Sequence, residues 1–487
     1  MLIPKNNANL MRTKILIKLA QSYLEDKFQD ADRIPLELRP KDGEVSRCCV
    51  YKDRAVLKYR CMAGLGHCPE EETDELTSLR EYGEQALQRT QAAKNKLSVI
   101  DIACSACIKS QYVITNVCRG CFAQPCRLNC PKQAISIVNG QARIDHDLCV
   151  NCGKCYEVCP YHSVVKIPVP CEEACPVGAI TKDEKGKEHI DTEKCISCGK
   201  CLASCPFGAI VERSQMIDVM REIKETGKKV VAMLAPAIAG QFPGSLNNLV
   251  GALKQFGFSD VIEVAVGADI TTQKEAAEFI ERMEEGKPFM TTSCCPAYFR
   301  AAQVHISEIQ PYVSHTKTPM YYTAELIKQE MPDCVAVFVG PCLAKRAEAE
   351  WDDNVDYVLT FEELGAMLVA AGINIDECAE QPFTKISHAQ GRKFPVTGGV
   401  AGAVASLVGN KYEIKPETID GLTKDNIKLL KRYAAKGCEN NMLEVMCCEG
   451  GCVSGPGCIA LSKKAARAVD AYAQTGEELT FDSKIGE

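Results

Sequence analysis

Cys149-Val-Asn-Cys152-Gly-Lys-Cys155-Tyr-Glu-Val-Cys159-Pro160 recurs as Cys195-Ile-Ser-Cys198-Gly-Lys-Cys201-Leu-Ala-Ser-Cys205-Pro206. Looser copies are Cys118-Arg-Gly-Cys121-Phe-Ala-Gln-Pro-Cys126-Arg-Leu-Asn-Cys130-Pro131 and the half-motif Cys171-Glu-Glu-Ala-Cys175-Pro176. Each Cys-Pro leads into a short apolar run such as Ala134–Ile137 or Ala209–Val211. Repeated short loops and strands predict small α+β modules over residues 96–213.

Working outward, the chain has 487 residues, 30 of them Cys, 46% apolar and 25% charged, with a net charge of −7. That is globular composition and excludes disorder as the main state. The acidic balance argues against a nucleic-acid partner. Twenty cysteines lie between Cys48 and Cys205 and ten between Cys294 and Cys458. Disulfide frameworks belong to short secreted chains, so this long chain is expected in a reducing cytosol, its thiols holding metal. The basic start at Met11–Ala20 is interrupted by Lys18 and followed by Glu25 and Asp26, so it reads as an amphipathic helix rather than a signal. No apolar run approaches a membrane span.

The spacing C-x2-C-x2-C-x3-C-P is the ferredoxin run, in which three thiolates wrap one 4Fe-4S cluster and the fourth reaches the next. A zinc ribbon also uses CxxC pairs, but it has no need of the third and fourth Cys or of the Pro. This rule groups Cys118, Cys121, Cys126 and Cys159; Cys149, Cys152, Cys155 and Cys130; and Cys195, Cys198, Cys201 and Cys175. A fourth set takes Cys171 and Cys205 with the nearest unassigned pair, Cys104 and Cys107. Cys48, Cys49, Cys61 and Cys68 remain, and either a fifth cluster or ordinary thiols would account for them. Several clusters in a row make an electron wire.

Residues 1–95 read as mainly helical, with helices over Leu10–Phe28 and Glu72–Leu97. From 214 to 487 strands alternate with helices, predicting an α/β sheet. The strands are expected at Val230–Ala235, Val261–Val266, Cys334–Val339 and Tyr357–Thr360, and the helices include Thr271–Glu284 and Thr318–Gln329. Ligands in such folds collect beyond the strand ends. Three cysteine segments fall there: Thr292-Ser293-Cys294-Cys295-Pro296-Ala297-Tyr298, Gly340-Pro341-Cys342-Leu343-Ala344-Lys345-Arg346-Ala347-Glu348 and Glu444-Val445-Met446-Cys447-Cys448-Glu449-Gly450-Gly451-Cys452.

In this order the three segments resemble the signature motifs of the iron-only (FeFe) hydrogenases. The resemblance implies an α/β domain holding an H-cluster: a 4Fe-4S cubane bridged by one Cys to a diiron unit with CO, cyanide and a dithiolate. Cys295, Cys342 and Cys448 match three cubane ligands, and Cys452 matches the bridging fourth. Lys345 matches the lysine that donates to a cyanide, and Glu348 the glutamate that orients it. Cys294 matches the proton-relaying cysteine, and Glu275, Glu278, Ser314 and Arg282 match the rest of that route. Pro236, Phe394 and Met446 match walls of the diiron pocket. The activity implied is 2 H⁺ + 2 e⁻ ⇌ H2, with ferredoxin or flavodoxin as electron partner and dedicated maturation proteins inserting the diiron unit.

The motifs also depart from the usual pattern. Gly340 stands for Met before Pro341-Cys342, and Cys447 for Ala. Gly455-Pro456-Gly457-Cys458-Ile459 replaces a Gly-rich tail, Ala237 stands for Ser and Met320 for Gln. These features resemble the group B branch. Two other roles known among relatives are an iron–sulfur assembly factor, which usually lacks the full ligand and relay set, and a hydrogen sensor. A sensor usually carries an appended signalling domain, for which the stretch after Cys458 gives no signature.

Overall fold

In the computed structural model, which describes residues 6–94, 97–409, 411–483 and 485, the first long element is the helix Asn7–Leu24. Asn6 caps it by accepting from the Asn9 N–H, and Met11, Ile15, Leu19 and Tyr23 form its buried stripe. The stripe packs onto the helix Phe361–Ala370 of the C-terminal half. Arg12 ion-pairs with Glu212 and Glu362, and the fully buried Arg346 pairs with Glu212 and Glu363. One charge network thus ties the chain start, the cysteine repeats and the C-terminal half together.

The expected helix over 72–97 shrinks to Leu79–Gln88. Ser78 and Glu81 form a capping box that fixes its start, and Arg89 ends it in an extended conformation, with its guanidinium on Asp218. Leu97 lies instead in the strand Leu97–Val99, antiparallel to Ile210–Glu212. The boundary expected between residues 95 and 96 lies outside the described residues.

Between those strands sit two-stranded pieces: Gln111–Ile114 with Val164–Ile167, Ile135–Val138 with Gln141–Ile144, and Ile180–Lys182 with Glu188–Ile190. The C-terminal half carries two parallel sheets. One runs Asp260–Glu263, Val230–Leu234, Val335–Val339, Tyr357–Leu359, and the other Met290–Thr291, Met442–Met446, Pro416–Asp420. Buried on both faces, the central strands are continuous apolar runs. The expected strand Val261–Val266 stops at Glu263, because Ala265 already begins the helix Ala265–Glu284. That helix starts well before the expected Thr271, while the next begins at Pro319, capped by Thr318. The three cysteine segments lie at the carboxyl ends of Met290–Thr291, Val335–Val339 and Met442–Met446.

Candidate iron–sulfur and active-site cavity

The N-terminal thiols are set by a repeated backbone turn. In the first Cys-x-x-Cys pair of each run the residue before the second Cys is left-handed: Ala106 (φ 47°), Gly120 (57°), Asn151 (54°) and Ser197 (54°). In each Cys-Pro segment the third residue after Cys is left-handed too: Gln133, His162, Gly178 and Gly208. Such turns aim amide N–H groups at sulfur. Asn151 N–H donates to Cys149 Sγ and Ser197 N–H to Cys195 Sγ, each at 3.4 Å. Ala134, Ala179 and Ala209 donate to Cys130, Cys175 and Cys205 at 3.3, 3.2 and 3.4 Å. Amides placed this way stabilise thiolate charge.

Several thiols of each expected set act on one another. Burial pushes Cys126 up, and Cys159, Cys118 and Cys121 add to it. For Cys155 the neighbours are Cys149 and Cys152, and for Cys201 they are Cys198, Cys195 and Cys175. Cys107 faces Cys104 and Cys205, and Cys171 faces Cys205, so the fourth set also comes together. Among the described residues no three donors converge tightly enough for a single ion, and a cubane needs its four thiols further apart. The first thiols of the chain follow another pattern. The exposed Cys48 and half-buried Cys49 lie 3.9 Å apart at a helix start, whereas Cys61 packs into the apolar core with Leu57 and Met62. The left-handed turn is missing at Cys61, which lies inside the helix Val50–Gly64.

In the C-terminal half Cys295, Cys342, Cys448 and Cys452 line one apolar cavity, with Cys294, Lys345, Pro236, Met320, Phe394 and Met446 on its walls. Burial pushes all four thiols up, and Cys295, Cys342 and Cys452 each act on a neighbour in the set. Gly451 (φ +87°) brings its backbone against Pro395 O, where a Cβ would sit 2.4 Å away, so only glycine closes the wall there. Glu444, fully buried, accepts from Gly398 N–H at 2.7 Å and Ala401 N–H at 2.8 Å. It thereby pins the helix Gly399–Val408 beside Phe394. Four soft thiols around a dry cavity fit a bound cubane, and a neighbouring ammonium fits an anionic ligand on a further metal unit.

Lys345 Nζ donates to Glu348 Oε2 at 2.7 Å and to Thr318 Oγ1 at 3.0 Å, while Thr318 Oγ1 donates to Glu348 Oε1. Burial works against its charge, but Glu348, Cys342 and Cys294 outweigh it and raise the ammonium above its ordinary range. Thr318 belongs to none of the three cysteine segments, and the only signal it gives in sequence is that of a helix cap before Pro319. Behind Cys294 lies Glu275, fully buried, its carboxyl facing Ser314 and the backbone of Ser293 without a well-formed hydrogen bond among the described residues. Burial, reinforced by Glu278, pushes it up to about 8. Glu278 shifts the other way despite its burial. The His315 N–H donates to it at 2.8 Å, Ser314 Oγ at 2.6 Å and Thr316 Oγ1 at 2.8 Å, and Arg282 lies 2.7 Å away. Burial, then Glu275, pushes Cys294 well above its ordinary value.

The two halves meet at Cys198. It lines the same cavity as Cys295, Cys342, Cys448 and Cys452, and its thiol hydrogen-bonds that of Cys447, the residue before Cys448. Gly199 packs on Leu343 and Pro456, and Lys200 Nζ donates to Leu422 O at 2.9 Å. Motif spacing assigns Cys447 no role.

Fold and thiol sets define an iron–sulfur protein with an α/β domain built around a cysteine-lined cavity. Residues 228–456 match the profile described as iron only hydrogenase large subunit, C-terminal domain, and residues 142–164 a 4Fe-4S binding domain. Residues 165–216 match the LdpA Fe-S cluster-binding domain. In its C-terminal half this chain carries the iron-only hydrogenase large-subunit domain. It is 27% identical over 305 residues to iron hydrogenase 1 of Clostridium pasteurianum, covering 50% of this chain and 53% of that protein. It is 28% identical over 309 residues to the periplasmic [Fe] hydrogenase large subunit of Nitratidesulfovibrio vulgaris, covering 50% of this chain and 72% of that protein. A probable cytosolic Fe-S cluster assembly factor of Nematostella vectensis is 26% identical over 312 residues, covering 49% of this chain and 70% of that protein. Among solved structures, a variant of the [FeFe]-hydrogenase HydA1 from Chlamydomonas reinhardtii aligns with a TM-score of 0.43 and 20% identity, over 52% of this chain and 88% of that one. Among the described residues no helix is long and apolar enough to cross a membrane.

Proposed function

We propose that the chain is an FeFe hydrogenase of the group B kind, catalysing the reversible reduction of protons to H2 with electrons from ferredoxin or flavodoxin in the cytoplasm. One observation carries this reading. Cys295, Cys342, Cys448 and Cys452 line a cavity that Lys345 and Cys294 also line, with the buried carboxyl of Glu275 behind it. The four thiols would hold the cubane, and Cys452 would also bridge to the diiron unit. Once bound, that unit supplies the site at which protons and electrons combine. Lys345, held by Glu348 and Thr318, would orient an anionic ligand there. Pro236, Phe394 and Met446 exclude water. Protons pass from Glu278 through Ser314 to Glu275 and then to Cys294. Glu275 holds its proton near neutral pH while Glu278 is charged, so each site is ready to receive or give. Electrons would run from the sets at 118–159 through the 104/107/171/205 set to the 195/198/201/175 set. Cys198, held against Cys447, would place that last set beside the cavity thiols.

A second reading, an iron–sulfur assembly factor, is favoured by relatives such as the Nematostella protein. Anaerobic expression with the hydrogenase maturation proteins separates the two. The enzyme gives infrared CO and cyanide bands and evolves H2 from reduced viologen, with about 22 iron atoms per chain. Absence of those bands after competent maturation rules the enzyme out.

A further inference from the structure

Arg282 is poorly suited to be the outer end of the carboxylate route. Its side chain is 8% exposed, and its guanidinium is committed to Glu278, to Pro311 O at 3.3 Å and to Val313 O at 2.9 Å. A guanidinium does not give up its proton in a protein. It can hold Glu278 in place, but it cannot load it.

His315 has the opposite properties. Its side chain is 85% exposed, and its Nδ1 lies 3.8 Å from Glu278 Oε1. Its own N–H fixes the same oxygen at 2.8 Å. Imidazole is the side chain whose ordinary proton exchange falls nearest neutrality. His315 also lines a cavity of ≈ 390 Å³ together with Ser314, Thr316, Thr318, Glu348 and Asp352, ample for several waters. One water, or a turn of the exposed ring, closes the remaining gap to Glu278. The charged groups around the ring are Glu278 and Arg282 on the helix, Lys317 on its own loop, and Glu348 and Asp352 across the cavity.

We propose that His315 takes protons from solvent and passes them to Glu278, with Arg282 as a positioning residue. This rests on the proton route proposed above. In the forward step the imidazolium gives its Nδ1 proton to the Glu278 carboxylate, leaving a neutral imidazole and a carboxylic acid. A solvent hydronium or buffer acid then restores the imidazolium. No electrons move in the exchange, and the reverse steps release protons during H2 oxidation.

The test uses the matured enzyme, with H2 evolution from reduced viologen followed from pH 5.5 to 9. His315→Gln keeps the backbone N–H to Glu278 and should lower turnover about tenfold at neutral pH. Added imidazole should restore most of it, whereas Glu278→Gln should lose turnover without rescue. The second readout is independent of turnover: the rate at which the Glu275 carboxyl deuterates after transfer to D2O, seen in its infrared carbonyl stretch. That rate should fall several-fold in His315→Gln and recover with imidazole. An unchanged pH profile and deuteration rate in His315→Gln, with Glu278→Gln impaired, overturns the role of His315 alone. Full turnover in Glu278→Gln overturns the route itself, and this inference with it.

Discussion

In the cysteine repeats neighbouring thiols come from one tight loop, and a left-handed residue recurs in the first Cys-x-x-Cys pair of all four runs. In the α/β half the four cavity thiols come from three segments at the ends of three strands, and only Cys448 and Cys452 share a loop. The first arrangement is local and tolerates change elsewhere. The second exists only when the two parallel sheets are in register. Loss of a single repeat thiol should therefore remove one cluster at a time, and damage to the cavity should remove the activity whole.

The largest expected effect is at the cavity. Cys342→Ser should abolish H2 turnover and the CO and cyanide bands while leaving about 16 repeat-bound iron atoms per chain. Loss of the repeat iron as well would break the comparison. Next, Glu275→Gln should reduce turnover about a hundredfold. Its pH dependence sharpens the point. The folded carboxyl sits near 8, above its ordinary value, so its contribution to stability is complete below about 4.5 and is lost as pH rises through 8. The variant should therefore lose less melting temperature than the parent between pH 6 and 9. An equal loss in the two proteins would mean that Glu275 is charged in the fold. Thr318→Val should cost less, about fivefold to tenfold in turnover, by removing one partner from Lys345. The smallest effect is in the repeats. Ala106 adopts a left-handed conformation that glycine takes freely, so Ala106→Gly should stabilise by about 1 kcal/mol. The iron content should stay unchanged, and slower iron release to a chelator would show the gain.

The same contrast explains what the sequence can reveal. Cluster loops are set by spacing and turn chemistry over a dozen residues, so spacing is enough to point to the repeat loops, while it leaves the partners of Cys171 and Cys205 to the nearest unassigned pair. The cavity thiols are legible only through motif resemblance, because nothing local says that Cys295 and Cys342 meet. Periodicity misreads Val264–Val266 as strand, since a buried helix start and a buried strand are both short apolar runs. His315, Thr318 and Glu444 escape for a related reason. Each matters through a partner brought from elsewhere in the chain: Glu278, Lys345 and the loop before Gly399. Glu275, Glu278 and Arg282 are legible because one helix face carries them all.

The segment from Gln111 to Ile167 leaves and returns through one antiparallel strand pair. Cys104 and Cys107 stand just before it and Cys171 just after. Under the proposed assignment one cluster joins these thiols, and it acts on the unfolded chain as a crosslink does. Closing a loop of roughly 64 residues removes conformational freedom worth about 4 kcal/mol. That cluster is then a staple as well as a wire, and its loss by oxidation would loosen the whole electron-input lobe rather than merely interrupt the current through it.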